Sequence, residues 1–197
     1  MLFKFNHPSV HWLVLAAWAA LVSAPIALLM AQHLAPLPAP TSTPAWPATG
    51  RWRSIHVLGG DCTCSADLAE ALRQRGPDPE LDEEIWMVGD APWSASLQRA
   101  GFKLRRITEA TLQNQQGLEG APWLYVIDPQ GHLAYSGGHT GRPAGQRAPL
   151  RDIEICGAVR SGQAVASLPA YGCAVSDALR ARLDPFRLKY PSAATRP

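Results

Sequence analysis

A run of 20 residues without a charged side chain, from Trp12 to Ala31, constrains this 197-residue chain more than any other feature. A helix of this length spans about 30 Å, roughly the hydrocarbon thickness of a bilayer. Pro25 lies inside the run, and proline is tolerated in membrane helices. The nearest cleavage-like site, Val22–Ala24, is followed at once by Pro25, which argues against a removed signal peptide. The sequence therefore predicts an uncleaved anchor over residues 12–31, with the lipid bilayer as a partner.

The charges on either side of this run predict its orientation. The short N-terminal side carries Lys4 and no acidic residue, and the first basic residues beyond the run are Arg51 and Arg53. The positive-inside rule then makes residues 1–11 a cytoplasmic tail and places the rest of the chain outside the cytoplasm. In a bacterium this is a single-pass inner-membrane protein with its C-terminal domain in the periplasm, where cysteines can be oxidised.

A proline-rich stretch follows the apolar run. Five prolines fall within residues 34–50, a pattern typical of an extended spacer of up to about 50 Å. We therefore expect a linker over residues 32–51, a folded domain over 52–186 and a flexible tail over 187–197.

The chain is 17% charged and 47% hydrophobic with a net charge of +2, which excludes a disordered chain and gives no sign of a nucleic-acid partner.

Within the domain, strand-like and helix-like segments alternate. Short apolar runs predict strands, and segments with helical spacing end at glycines. The alternation, closed by a hairpin over the turn Asp128–Gly131, predicts an α/β domain with parallel strands and an antiparallel addition. The predicted strands are 54–58, 84–88, 103–107, 123–127 and 132–136, and the predicted helices are 64–75, 93–100, 108–116 and 150–161.

Two cysteines lie where the first strand gives way to the first helix, at Cys62 and Cys64. The unpaired N–H groups of a helix N-terminus stabilise a thiolate, whereas the neighbouring carboxylate of Asp61 opposes it. Because residues two apart point away from each other on a helix, a disulfide between these cysteines needs non-helical backbone at Thr63. The pair can therefore form a strained disulfide, join a distant thiol or remain unreactive.

Two further motifs accompany this pair. Ala121-Pro122 directly precedes a predicted strand, and Tyr171-Gly172-Cys173 follows the last predicted helix. With the order of elements, they make residues 52–175 resemble the thioredoxin-like superfamily, with helices on both faces of the sheet. The chain looks most like its membrane-anchored bacterial branch, related to TlpA-like and AhpC/TSA-like domains, in a family of short proteins with CPC and Tyr/Phe-Gly-Cys motifs.

The resemblance implies a function and a set of site residues. It implies a thiol–disulfide oxidoreductase acting on a protein or small-thiol partner, with a cis-proline at Pro122 facing the cysteines. Catalytic residues would be Cys62, Cys64, Pro122 and Cys173, with Cys62 as nucleophile, Cys64 as resolving thiol and Cys173 as its backup. The chain departs from the pattern because it has CxC instead of CxxC, with Thr63 between the cysteines, and it lacks the proline of a peroxiredoxin motif.

Two alternatives remain open at this point. Two thiolates and a histidine suit Cu(I), so a Sco-like copper protein would use Cys62, Cys64 and His139, although Sco-like proteins space their cysteines by three residues. A redox-inert thioredoxin-like scaffold is the other alternative, with no cofactor. Cys156 lies among apolar residues of a predicted helix, where it is either a core residue or a disulfide partner of Cys173.

Overall fold

The structure, a computed structural model, describes residues 8–33, 35–142, 149–185 and 190. Its N-terminal unit is built around helix α1, Pro8–His33, which contains the predicted span 12–31. The 18-residue window Val10–Ala27 has a mean hydropathy of 1.8, so α1 is long and apolar enough to cross a membrane. Residues 8–11 of the predicted cytoplasmic tail belong to α1, and the rest of that tail lies outside the described residues.

The second unit begins at Pro36 and contains the predicted alternation of strands and helices. Helix α4 illustrates the local causes: Thr108 caps it by accepting a hydrogen bond from the N–H of Thr111 at 3.1 Å, and Gly117 ends it in a left-handed conformation. The elements are β1 Arg53–Gly59, α2 Thr63–Arg75, β2 Asp82–Val88, α3 Ser94–Arg99, β3 Lys103–Ile107, α4 Glu109–Gln116, β4 Gly120–Ala121, β5 Trp123–Ile127, β6 Leu133–Gly137, α5 Asp152–Arg160, β7 Cys173–Ala174 and α6 Asp177–Leu183.

The main sheet of the described chain has five strands in the order β3-β2-β1-β5-β6. Strands β1, β2 and β3 are parallel, whereas β5 is antiparallel to both β1 and β6. The register places Val57 of β1 between Trp86 of β2 and Trp123 of β5. This mixed sheet, with its βαβ units and closing hairpin, confirms the thioredoxin-like α/β fold predicted from the order of elements.

Alternating side chains of the central strands build a core on each face of the sheet. On one face, Val57 and Tyr125 pack in a cluster with residues of α4 and α6. On the other face, Leu58 packs with α2 and α3, and Leu124 packs with α5. Helices therefore cover both faces, as expected, and β1 is buried between them.

The C-terminal part of the domain contains elements that the sequence analysis did not predict. Strand β7 is two residues long, and it pairs with the equally short β4. Helix α6 has seven residues and is capped by Ser176, whose hydroxyl accepts a hydrogen bond from the N–H of Leu179 at 3.0 Å. Of the predicted tail 187–197, only Tyr190 is described, and its hydroxyl accepts a hydrogen bond from the N–H of Ala174 at 3.1 Å.

The proline-rich segment 36–50, here called the strap, packs against the domain instead of standing away from it. It contains no helix or strand, in keeping with its prolines. The side chain of Leu37 is only 7% exposed and belongs to the core cluster between the sheet and α4. Its N–H donates to the carbonyl of Ala170 at 2.7 Å. The folded unit thus begins near Pro36, whereas the sequence analysis began it at residue 52.

The strap makes a second set of contacts near its C-terminal end. The indole of Trp46 lies 5.4 Å from that of Trp86 and 5.7 Å from the ring of Tyr125, measured between ring centroids. The N–H of Thr49 donates to the carbonyl of Pro129 at 3.2 Å. Aromatic packing of this kind adds to the area that the strap buries. The strap is therefore a structural part of the domain.

Candidate functional site: a cluster of three thiols

The loop after β1 brings Cys62 and Cys64 to the N-terminal end of α2. Cys62 is the N-cap residue, with extended backbone at φ −104° and ψ 117°, and α2 begins at Thr63. Cys64 therefore lies in the first turn. The loop is tight at Gly60, where a Cβ atom would lie 2.3 Å from the carbonyl oxygen of Asp90, so that only glycine fits there.

The third thiol comes from the other end of the domain. Strand β7 pairs antiparallel with β4, and this places Cys173 opposite Ala121. Close approach is required, because a Cβ atom on Gly172 would lie 2.0 Å from the carbonyl oxygen of Ala121. The Ala121–Pro122 peptide bond is cis, and Pro122 is buried. The short β4–β7 pairing is therefore what brings Cys173 to the loop that precedes β5.

The sulfur atoms of Cys62, Cys64 and Cys173 all lie within 4.8 Å of one another. Each residue is a free cysteine; Cys62 and Cys173 are buried, and Cys64 is partly exposed. We call this group the trithiol cluster. Sequence reasoning selected all three residues and gave Cys173 as a backup partner of Cys62 and Cys64. It did not predict the β4–β7 pairing that joins them, because the pairing of two-residue strands leaves no pattern in the sequence.

The three thiols do not hold their protons equally. Hydrogen bonds from the thiols of Cys173 and Cys64 lower the pKa of Cys62, with a smaller contribution from the N–H and hydroxyl of Ser65, and they outweigh the opposing effect of burial. Cys64 donates hydrogen bonds from its own thiol to the sulfurs of Cys173 and Cys62, and losing that proton would break them, so the pKa of Cys64 is raised. As a thiol, Cys62 donates to the carbonyl of Ala121 at 3.7 Å, a weak bond that ionisation replaces with the stronger set. The cluster thus favours one thiolate, on Cys62.

A cavity of about 450 Å³ opens beside the cluster. Cys62 and Cys173 both line it, as do Glu109 and Arg180. Arg180 Nη1 donates to Glu109 Oε2 at 3.0 Å, so the polar lining carries an ion pair. The cavity gives a small molecule or a protruding side chain a route to two of the three sulfurs.

Cys156 lies in a different environment. It is buried on α5, where it packs with Leu124 and Val126 of β5. Burial, with the nearby carboxylate of Asp152, raises its pKa to about 12. Cys156 is thus a core residue with an inert thiol, and it forms no disulfide with Cys173.

The proposed copper ligand set Cys62, Cys64 and His139 is not assembled in the structure. The third ligand atom within 4.8 Å of the sulfurs of Cys62 and Cys64 is the sulfur of Cys173, and no ring nitrogen of His139 belongs to this group. His139 is instead buried, with its Nε2 atom 3.0 Å from Nδ1 of His56 and the two rings stacked. The Sco-like arrangement is therefore wrong for this chain, because His139 is directed to a separate polar cluster.

That second cluster is a buried charge network that sequence reasoning missed. Glu83, on β2, accepts hydrogen bonds from His56 at 3.0 Å and from both terminal nitrogens of Arg75 at 3.0 and 2.8 Å. Arg75 also donates to Asp152 at 2.6 Å. The available signal was a histidine and a glutamate at inward-facing positions of two buried strands, where a polar residue needs a partner.

Comparisons with known proteins give only structural similarities. Neither a family profile nor a curated protein matches the sequence. A hypothetical protein from Sinorhizobium meliloti 1021 is 16% identical, with 71% of this chain and 93% of that chain covered and a TM-score of 0.49. An uncharacterised conserved protein from Geobacillus kaustophilus is 14% identical, with 72% and 92% covered and a TM-score of 0.44. A secreted Mycobacterium tuberculosis disulfide oxidoreductase homologous to E. coli DsbE is 12% identical, with 58% and 84% covered and a TM-score of 0.41.

Proposed function

We propose that this chain, whose fold is thioredoxin-like, is a membrane-anchored thiol–disulfide oxidoreductase that reacts through the trithiol cluster. The observation that carries the proposal is the placement of three sulfurs within 4.8 Å of one another beside an open cavity. A disulfide bond needs two sulfurs that can approach to about 2.05 Å, and exchange needs a third that attacks or leaves. The cluster supplies Cys62 with two neighbouring thiols that can pair with it, and the partner supplies the attacking or leaving sulfur.

Cys62 is the proposed nucleophile. It has the lowered pKa of the cluster, it lines the cavity, and it occupies the N-cap position of α2, where the N-terminal N–H groups favour a negative charge. Its thiolate attacks one sulfur of a disulfide R–S–S–R′, so that a mixed disulfide Cys62–S–S–R forms and R′–S⁻ leaves. A second cluster thiolate then attacks the Cys62 sulfur and releases R–S⁻. The substrate disulfide gains two electrons and becomes two thiols, and the protein loses the same two electrons as two of its thiols become an internal disulfide. The reverse sequence oxidises a dithiol substrate and returns the protein to its thiol form.

Cys173 is the resolving thiol that the geometry favours. A Cys62–Cys64 disulfide would distort the backbone at Thr63, the first residue of α2, whereas a Cys62–Cys173 disulfide leaves the helix intact. The sequence predicts Cys64 in this role with Cys173 as backup. The geometry favours the opposite order, with Pro122 in the loop beside them.

A protein or small-thiol partner suits the site. The cavity volume of about 450 Å³ falls within the range of about 300–1,000 Å³ usual for small-molecule pockets. Cys64 is the most exposed of the three thiols, so a partner too large for the cavity still meets the cluster at the surface. The substrate class is therefore a disulfide on a small thiol or on an exposed protein loop.

We place the domain outside the cytoplasm of a bacterium, tethered to the inner membrane by α1. The apolar window Val10–Ala27 and the single charge of Lys4 on the short side support this topology. An alkaline phosphatase fusion after residue 50 should be active, and an otherwise matched fusion to a cytoplasmic reporter should be active only if the orientation is reversed. Retention of α1 on the mature protein, read by mass spectrometry, separates an anchor from a cleaved signal.

The central test uses single cysteine variants of the full chain in detergent. Reduced protein is mixed with oxidised glutathione, and mixed disulfides are followed by mass spectrometry. We expect Cys62→Ser to form none at the cluster and Cys173→Ser to accumulate the Cys62 adduct, because its resolving thiol is missing. Cys156→Ser is the matched control and should behave as wild type. If Cys62→Ser reacts as fast as this control, the oxidoreductase proposal fails and a redox-inert scaffold is favoured.

A further inference from the structure

We propose that the reduced trithiol cluster also binds one Cu(I) ion, through the sulfurs of Cys62, Cys64 and Cys173. This goes beyond disulfide exchange, because it is a binding function of the same residues that transfers no electrons. A metal–thiolate distance of about 2.3 Å places the sulfurs of a trigonal site about 4.0 Å apart. Sulfurs already within 4.8 Å of one another reach that geometry with shifts of less than about 1 Å.

The number and type of ligands select the metal. Three soft sulfur donors suit Cu(I). Structural zinc sites take four ligands, and among the described residues no histidine, carboxylate or further cysteine joins the three sulfurs within 4.8 Å. Cu(I) is stable with three thiolates, whereas Zn(II) would be left with an open position.

The charge network elsewhere in the domain does not compete for the ion. His56, Glu83 and Asp152 also place ligand atoms within 4.8 Å of one another. The guanidinium of Arg75 already occupies that site: its Nη2 atom donates to Glu83 at 2.8 Å and to Asp152 at 2.6 Å. A metal ion would have to displace a fixed cation there, so the trithiol cluster is the better-suited ligand group of the described chain.

Access and charge balance are also suitable. Cys62 and Cys173 line the cavity and Cys64 is partly exposed, so the ion can enter without unfolding of the site. Each thiol that binds copper releases its proton to solvent, and the three thiolates with one Cu(I) carry a net charge of −2. The N-terminal N–H groups of α2 offset part of this charge, whereas Arg180 in the cavity lining is already paired with Glu109.

Copper binding and disulfide formation exclude each other, because a disulfide removes two of the three ligands. The oxidation state of the cluster then decides which function is available. Only the fully reduced protein should bind Cu(I), and Cu(I) should protect the thiols from oxidised glutathione. This relation distinguishes a built site from scattered binding to single cysteines.

The test titrates Cu(I) into the full chain, reduced and held in detergent under nitrogen, against the chelator bicinchoninate. We expect one equivalent to bind, with three sulfur scatterers at about 2.3 Å in X-ray absorption. Second-shell changes alone weaken metal sites by about 10–100-fold, so Cys173→Ser should weaken binding at least about tenfold. The matched variants Cys156→Ser and His139→Ala should bind as wild type does.

Several results would overturn the copper proposal. Two sulfur scatterers in the wild-type protein would exclude the trithiolate site, and this measurement does not depend on whether any variant folds. Unchanged affinity in Cys173→Ser, or preference for Zn(II) in direct competition, would also exclude it. None of these results bears on exchange with glutathione, so the copper site and the oxidoreductase fail independently.

Discussion

Replacing Glu83 with glutamine tests whether the buried charge network holds the domain together. The substitution preserves volume but removes the charge that faces Arg75 and His56. The side chain of Glu83 is 1% exposed and that of Arg75 is 21% exposed. Breaking a buried ion pair by removing one partner costs about 3–5 kcal/mol. Because Arg75 keeps some contact with solvent and retains Asp152, we expect the lower end, about 3 kcal/mol of unfolding free energy.

The assay is urea unfolding of the full chain in detergent, followed by tryptophan fluorescence. With a urea m-value of about 1–3 kcal/mol/M, a loss of about 3 kcal/mol lowers the urea midpoint by about 1–3 M. Glu80→Gln is the matched control, because Glu80 pairs with Arg160 at 2.7 Å but is 66% exposed. An exposed pair contributes about 0–1 kcal/mol. If Glu83→Gln costs no more than Glu80→Gln, the reasoning about buried charge in this domain is wrong.

The pH dependence of stability gives a second readout of the same network. Burial, together with the charges of His56 and Arg75, holds the pKa of His139 well below its ordinary value. The folded protein therefore binds fewer protons than the unfolded one, and stability falls as pH drops below about 6.5, by at most about 1.4 kcal/mol per unit. This slope should persist in Glu83→Gln, since burial, the largest cause of the His139 shift, is unchanged by the substitution.

Glu83 itself acts at lower pH. Burial alone would raise its pKa, but hydrogen bonds from His56 and Arg75 outweigh burial and lower it. A carboxylate with a depressed pKa stabilises the fold above the unfolded value of about 4.3, and this contribution is lost as pH falls. The difference between wild type and Glu83→Gln should therefore be constant from pH 7.5 to 5 and narrow below about 4.3. A difference that grows on acidification would contradict this account.

Three further changes test other parts of the structure. Leu37→Ala should lower the free energy of unfolding in urea by about 2–5 kcal/mol, as for a core leucine. The exposed strap residue Thr43 should tolerate alanine, and equal effects of the two substitutions would exclude the strap from the core. Gly172→Ala should separate Cys173 from the other thiols, because the new Cβ atom would lie 2.0 Å from the carbonyl oxygen of Ala121. Cross-linking of Cys173 to Cys62 by diamide at the wild-type rate would contradict this. Cys156 should resist iodoacetamide in the folded protein at pH 8, since burial raises its pKa to about 12, and rapid alkylation there would place it outside the core.

The elements that sequence analysis predicted well are those with a local signal. Strands 103–107 and 123–127 were predicted at their observed bounds, and α4 was predicted with its Thr108 cap, because apolar runs, capping residues and glycine stops are read within a few residues. The α/β class followed from their order, and the thioredoxin-like fold from the resemblance that this order carries together with the Ala121-Pro122 and cysteine motifs. The resemblance also identified Cys62, Cys64 and Cys173 as a set, although no local pattern states that they meet.

The features that could not be predicted depend on contacts between distant segments. Leu37 was assigned to a spacer because five prolines exclude regular structure, yet an irregular segment can still bury a leucine. His139 was considered as a copper ligand because it follows the hairpin, but its partner is His56, 83 residues earlier. Both errors have the same cause: residue type and spacing do not determine which surface a loop packs against.

The trithiol cluster depends on two segments that are distant in the sequence, the strap and the C-terminal segment, and both converge on β4. The strap contributes Leu37, whose side chain fills the space that a Cβ on Gly120 would take, at 2.5 Å. The C-terminal segment pairs Cys173 with Ala121, the next residue along. Because β4 is only two residues long, it has little pairing of its own, and the strap on one side and β7 on the other both pack against it. Loosening the strap should therefore move the loop that faces Cys62, and Leu37→Ala is expected to slow exchange with oxidised glutathione even though Leu37 contributes no group to the chemistry.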